Sequence, residues 1–223
     1  MIRRTTRLAL VLAATALFWF GPAEAYDKPI TGHAAFGVSL PEGAHGEFLE
    51  DGWALHGGAT WWSADRPFGL RLDIGLDWTD MTNEALDLIE ISPDVPGDEH
   101  PDQGDVRIWS GSLDIVWQPK RNGTVNFYLL GGGGVYYTSW ALSEVGYGYG
   151  TWCDWYWGIC YPGIYEGLYL LEDDSSWDLG LNAGAGVTFQ LRSGTELYLE
   201  ATYHWVDSER SAEFVPVTFG ARW

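Results

Sequence analysis

Nine residues of the 223-residue chain have the types and spacing from which buried polar chemistry could be built. They are Arg71, Asp73, Asp77, Asp114, Asp178 and Glu200, with His33, His56 and His204. A guanidinium pairs carboxylates through forked hydrogen bonds, and carboxylates and imidazoles exchange protons. An unpaired charge in an enclosed space is costly, so Arg71 should bridge carboxylates such as Asp73 and Glu200. Acid exceeds base in this set, so some carboxylates should hold a proton or neutralise a cation. Two readings follow: a salt-bridged plug, and a narrow cation path or proton-linked gate. A second chemistry is acyl transfer, which needs a serine beside a histidine oriented by an acid. The run Tyr203-His204-Trp205-Val206-Asp207-Ser208 carries those types. A third is redox. Cys153 and Cys160 are the only two cysteines, with six residues between them, and no histidine lies near them. In an exported chain that spacing favours a disulfide over a metal site.

The elements that must position these residues follow from Phe68–Thr79, FGLRLDIGLDWT. Phe68, Leu70, Leu72, Ile74, Leu76 and Trp78 alternate with Gly69, Arg71, Asp73, Gly75, Asp77 and Thr79. Strict period two means a strand with one apolar and one polar face. The polar face mixes glycine with full charge and has no lysine, which suits a narrow enclosed space better than open water. The same alternation predicts strands near Thr31–Leu40, Trp53–Ser63, Val106–Gln118, Val125–Thr138, Trp177–Leu191, Glu196–Val206 and Phe214–Trp223. Arg222, His33, His56 and His204 share the polar face. On the last strand Val215, Val217, Phe219, Ala221 and Trp223 share the other. Gly131–Gly134 suits a place where a bulky side chain crosses the interior. Aromatics recur at the ends of the apolar faces, as in Trp53/Trp61 and Trp109/Trp117. Eight residues at a tilt near 40° rise roughly 20 Å, close to a bilayer's apolar band of about 25 Å.

Targeting and charge agree with export. Arg3, Arg4 and Arg7 precede the apolar run Leu8–Phe20, and Ala23-Glu24-Ala25 is a small-x-small cleavage site. The mature chain should begin at Tyr26. The apolar run is about 13 residues, short of the roughly 20 that a helical span needs. With 12 basic and 31 acidic residues the net charge is −19, which argues against nucleic acid as a partner. Short connections with turn chemistry fall at Asp65–Pro67, Pro119–Gly123 and Arg192–Gly194, each carrying a basic residue. Longer acidic ones fall at Pro41–Gly52, Met81–Asp105, Ser139–Ser176 and Asp207–Glu213. Short turns at one end and long loops at the other indicate a transmembrane barrel with both termini in the periplasm. Thr82–Leu86 should start a short helix. The acidic loops read as solvated faces, and their spacing matches no EF-hand. No metal or cofactor is expected. The 139–176 connection holds Tyr147, Tyr149, Trp152, Trp155, Tyr156, Trp157, Tyr161 and Tyr165. It reads as a self-packed loop that extends the strands above the membrane, or as a contact surface.

The mature chain resembles the small outer-membrane β-barrel domain family, the OmpA-transmembrane-domain and OmpX-like proteins. The most specific match is the C-terminus VPVTFGARW, with Val217, Phe219 and a terminal Trp223. It is similar to the terminal-strand signal read by the barrel-assembly machinery. The resemblance implies an eight-stranded antiparallel all-β barrel spanning residues 26–223 in the bacterial outer membrane, in contact with lipid and lipopolysaccharide. It implies no single activity. The expected role is non-enzymatic, structural or in surface contact with a ligand or host factor through the loops. The alternatives are a narrow channel for small solutes or ions and a lipid-modifying enzyme. Lipid A deacylases carry His-x-Ser on a lipid-facing strand face. Here Val206 stands at the serine position and His204 belongs to the polar face, so no catalytic residue is assigned. A soluble lipocalin-like barrel, apolar inside, is the competing fold. The interface tryptophans, the glycine-rich polar face and the aromatic C-terminus weigh against it.

Overall fold

The computed structural model describes residues 29–223 apart from 65, 89–100, 121–122, 154–155, 157–159, 193 and 208–211. The leader and its cleavage residues Ala23, Ala25 and Tyr26 lie outside the described residues. Eight antiparallel strands close into one barrel in sequence order, with β1 paired to β8. They are β1 Ile30–Glu42, β2 Gly52–Trp62, β3 Phe68–Asp80 and β4 Gln103–Trp117. β5 Val125–Cys153, β6 Cys160–Gln190, β7 Glu196–Asp207 and β8 Ala212–Arg222 complete the circuit. The C-terminal residue helps to close it. Trp223 exchanges two backbone hydrogen bonds of 3.0 Å with Gly32 of β1.

The barrel is inside out by the standards of a water-soluble core. Exposed side chains include Leu55, Leu70, Leu72, Ile74, Leu113, Ile115, Leu129, Leu181 and Phe219. Buried ones include Arg71, Asp73, Asp77, Asp114, Glu200 and Arg222. Along β3 from Phe68 to Thr79 the polar-face residues are buried and the apolar ones face outward. That arrangement is stable only where the outside is hydrocarbon. Aromatics flank the band. Trp53 pairs with Trp78, and Trp109, Tyr137 and Trp177 lie in adjacent register on β4 to β6. At the other end Phe68 pairs with Trp117. No described helix is long and apolar enough to cross a membrane. Ala221 has the outward register but is only 3% exposed, because its small side chain sits below the surface of its neighbours.

Two findings carry the strands further than their alternation does. First, the 139–176 segment is strand, except around its tip. β5 and β6 stay paired from Val125↔Phe189 to Cys153↔Cys160. The pairing passes from Leu142↔Glu172 to Ser143↔Leu170, so Leu171 has no counterpart and forms a bulge. Second, β4 begins at Gln103, earlier than the alternation suggests. In both places the extra strand stands above the lipid band. The loops pack together at that end. The Glu50 N–H donates to Asp80 O (2.8 Å), and the Thr82 N–H donates to Phe48 O (3.0 Å). Helix α1, Asn83–Leu88, starts where Thr82 Oγ1 accepts from the Ala85 N–H (3.2 Å) and buries Ala85 and Leu86.

Candidate functional site

Alternation puts every second residue of eight strands into one narrow interior, and three layers result. The middle layer is ionic. Arg71 on β3 donates from Nε (2.8 Å) and Nη2 (2.5 Å) to Asp73 Oδ2, and from Nη1 to Glu200 Oε2 on β7 (2.6 Å). The Tyr128 hydroxyl donates to the same Glu200 oxygen (2.6 Å). His33 Nε2 lies 2.6 Å from Asp73 Oδ2, and His56 Nδ1 lies 3.3 Å from Asp73 Oδ1. Each carboxylate is thus met by a guanidinium and a second polar partner, as burial requires.

The layer toward the loops turns apolar. His204 Nδ1 is 2.9 Å from the Tyr136 hydroxyl, and its ring stacks on Phe214 with centroids 4.7 Å apart. Above them Val106, Ile108, Tyr136, Val206 and Phe214 form a buried cluster, joined by Leu49, Met81, Trp140 and Ala212. The layer toward the short turns is a cationic stopper. Arg222 Cζ lies 5.1 Å from the Tyr128 ring centroid and 5.6 Å from those of Trp62 and Tyr198. Its Nη1 is 3.5 Å from both Gln118 Oε1 and Glu196 Oε2.

Arg71, Asp73 and Glu200 therefore meet in one network with His33, His56 and Tyr128. Asp77 touches it only through a long approach to His56 Nε2 (3.5 Å). Asp114 accepts from Ser112 (2.9 Å) on the wall of a cavity of about 10 Å3 that also borders Arg71, His56 and His204. That volume holds about one water. Asp178 stands apart at the rim, accepting from Ser176 (2.6 Å). Among the described residues no cluster of His, Cys, Asp or Glu has metal-binding geometry. Ser208 lies outside the described residues.

The alternation already puts Tyr128, Tyr136 and Tyr198 on the polar, inward face, and the structure buries all three; what the sequence reading missed is Trp62 and the glycine beneath each ring. Trp62, Tyr128, Tyr136 and Tyr198 all point inward, and each leans over a glycine of the next strand. A Cβ at Gly69 would meet the Trp62 ring at 2.8 Å, one at Gly180 the Tyr136 ring at 2.7 Å, and one at Gly220 the Tyr198 ring at 2.7 Å. Gly186 is in still closer contact with Tyr128. Gly132, by contrast, faces Asp114 and the β4 backbone, so the Gly131–Gly134 run takes no bulky ring. The readable signal is an inward aromatic on one strand with an inward glycine on the next, directly opposite for Trp62, Tyr128 and Tyr198 and two residues along for Tyr136. Gly186→Ala should push the Tyr128 hydroxyl away from Glu200 and destabilise the barrel by about 1–3 kcal/mol. Urea unfolding checks the size of the loss. A cycle with Tyr128→Phe checks the route, because the two losses should be less than additive if that hydrogen bond carries part of it.

No family model matches the chain, and no curated protein sequence matches it. Solved structures do. Neisserial surface protein A is 12% identical with a TM-score of 0.52, over 87% of this chain and 96% of that one. A major outer membrane protein from Thermus thermophilus is 14% identical with a TM-score of 0.52, over 88% and 99%. The fold is that of the small outer-membrane β-barrels. At these identities the likeness is one of architecture, and it extends over almost the whole of each neighbour. Two features stand out in this chain's own structure: the three-layered filling of the lumen and the long β5–β6 ribbon. The ribbon ends in the Cys153–Cys160 disulfide (Cα–Cα 4.0 Å), with Tyr156 exposed between the two cysteines. Trp155 and Trp157 lie outside the described residues, as do Glu90, Asp94, Asp98 and Glu99 of the acidic loop.

Proposed function

We propose that the chain is a non-enzymatic outer-membrane protein whose lumen is a structural plug. Its work is surface contact, carried by the β5–β6 ribbon. The observation that carries this reading is the ribbon itself. Strands of 29 and 31 residues far exceed the 11 to 15 of their neighbours. The excess is ordered by pairing and cross-linked at its tip rather than folded back onto the barrel. Ordering that length of chain opposes folding by about 1–2 kcal/mol per residue before pairing offsets it. A barrel needs none of it to close. The filled interior supports the other half of the reading. An apolar lid closes one end and the Arg222 stopper the other, and the cavity beside Arg71 and Asp114 holds about one water. His204, stacked on Phe214 inside the lumen, is turned away from the lipid face where an acyl-transfer base would have to act.

The test replaces residues 138–176 with an Asn-Gly turn joining the paired residues Tyr137 and Trp177, which removes the ribbon down to the aromatic band. The shortened barrel should fold, seen as retained heat-dependent gel mobility. Cells displaying the full chain should adhere to at least one of a panel of protein- and glycan-coated surfaces, and cells displaying the shortened chain should not. Equal adhesion of the two, or none above empty cells on any surface, would remove the proposal.

A further inference from the structure

We infer that the free edge of β6 between Glu172 and Asp178 is a docking strip for an extended, cationic segment of another protein, added as a further strand. This rests on the reading of the ribbon as the contact element. The strip is open because its neighbour stops short. β7 pairs with β6 only from Leu179↔Asp207 downward, while β5 accompanies β6 far beyond that point. Above Leu179, among the described residues, β6 therefore has a strand on one side only. The connection from Asp207 to Ala212 is too short to sheath the edge, since it reaches less than about 20 Å even when extended.

Backbone chemistry shows the opening directly. The Ser175 N–H donates to Asp174 Oδ1 (2.8 Å), a side chain standing where a neighbouring strand would present a carbonyl. Successive residues alternate the side to which they turn their N–H and C=O groups. Asp173 and Trp177, two residues either way, therefore present theirs on the same edge as Ser175. The regular stretch ends above at the Leu171 bulge and below where β7 begins. It spans roughly 20 Å, room for about six or seven residues of an incoming strand.

Charge selects the occupant. Glu172, Asp173 and Asp174 are exposed, Asp178 is partly so, and Asp207 is exposed at the foot of the strip. The whole segment 139–178 contains neither lysine nor arginine. Charges on an edge ordinarily blunt it against pairing. Here they repel a second copy of the same strip and favour a strand with lysine or arginine at alternate positions. Exclusion and selection thus come from the same carboxylates. Trp177, 72% exposed, offers an apolar and cation–π contact beside them.

The experiment uses the refolded full chain in nanodiscs and a capped octapeptide of alternating lysine and threonine. The peptide should bind saturably and slow hydrogen exchange at the Ser175 and Trp177 amides. Glu172→Gln/Asp173→Asn/Asp174→Asn should weaken binding by about tenfold or more. The same octapeptide methylated at every backbone nitrogen keeps its charge and loses its donors, and it should not bind at the strip. Equal binding of the methylated peptide would reduce the site to unspecific charge attraction and overturn the inference. So would unchanged exchange at Ser175. If the ribbon is needed for adhesion but the octapeptide does not bind, the docking strip is wrong while the contact reading stands. If shortening the ribbon leaves adhesion intact, the contact reading itself falls.

Discussion

Arg71→Ala should destabilise the folded barrel by about 3–5 kcal/mol, the range for removing one partner of a buried ion pair. The side chain is 2% exposed and makes three charge-assisted hydrogen bonds to two carboxylates on different strands. Its removal leaves Asp73 and Glu200, each 6% exposed, with imidazole, phenol and a long threonine hydroxyl contact as their partners. Nothing else in the middle layer carries a fixed positive charge, and Arg222 is engaged with aromatic rings at the far end. The triple change Arg71→Met/Asp73→Asn/Glu200→Gln removes all three charges together. It should recover most of the loss, because a buried ion pair is worth little against a neutral, well-packed substitute. Urea unfolding of the refolded proteins in lipid vesicles, followed by tryptophan fluorescence, measures both. A loss below about 1 kcal/mol for Arg71→Ala would mean that water reaches the layer freely. The lumen would then be no plug.

How much of this was legible before any coordinates can be argued from particular residues. β3 could be read outright, because its two faces meet different media. Lipid demands Leu72 and Ile74, and a narrow lumen demands Arg71, Asp73 and Gly75. Period two survives wherever that contrast exists, which is why eight strands and their facing were readable. Above the bilayer both faces of a strand meet water and the contrast vanishes. Residues 144–176 therefore lack an apolar–polar contrast along their length, although glycine and tyrosine alternate over 146–149, so an extension of the strands could be named but not its reach. The lumen was legible in its charges but not in its caps. Ile108, Val206 and Phe214 occupy inward positions that the rule reserves for polar residues, and they break it because they close the loop end against water. Trp62 follows the outward-facing Trp61 directly, and nothing local marks it as a lumen residue. Its place in the lumen is set by the Thr31 hydroxyl that accepts from its Nε1 (3.0 Å), by Gly69 beneath its ring and by Arg222 over it. Pairings between distant strands are not encoded in any local pattern, so the join of Arg71 to Glu200, 129 residues apart, was an argument about charge balance.

Ile74→Arg puts the inside-out architecture to its most direct test and should destabilise the barrel by about 2–4 kcal/mol in a bilayer. Ile74 is 59% exposed, lies between the Phe68 and Trp78 ends of its strand, and has Gly57 and Gly111 as its register partners. Flanking glycines leave no side chains to shelter a guanidinium, and both interfaces lie several residues away. A charge there sits in hydrocarbon. The same substitution at Val125, also exposed but at the start of β5 beside the short turns, can reach headgroups and water. Its effect should fall to about 0–1 kcal/mol. The depth dependence decides the matter more than either value alone. Loss of packing would harm both sites alike, whereas lipid on the outer face singles out the middle of the band. Unfolding in vesicles of a thinner lipid should narrow the gap between the two variants, because the arginine at position 74 would then lie nearer an interface. Equal losses at both sites, unchanged by bilayer thickness, would place something other than hydrocarbon against the outward face of β3.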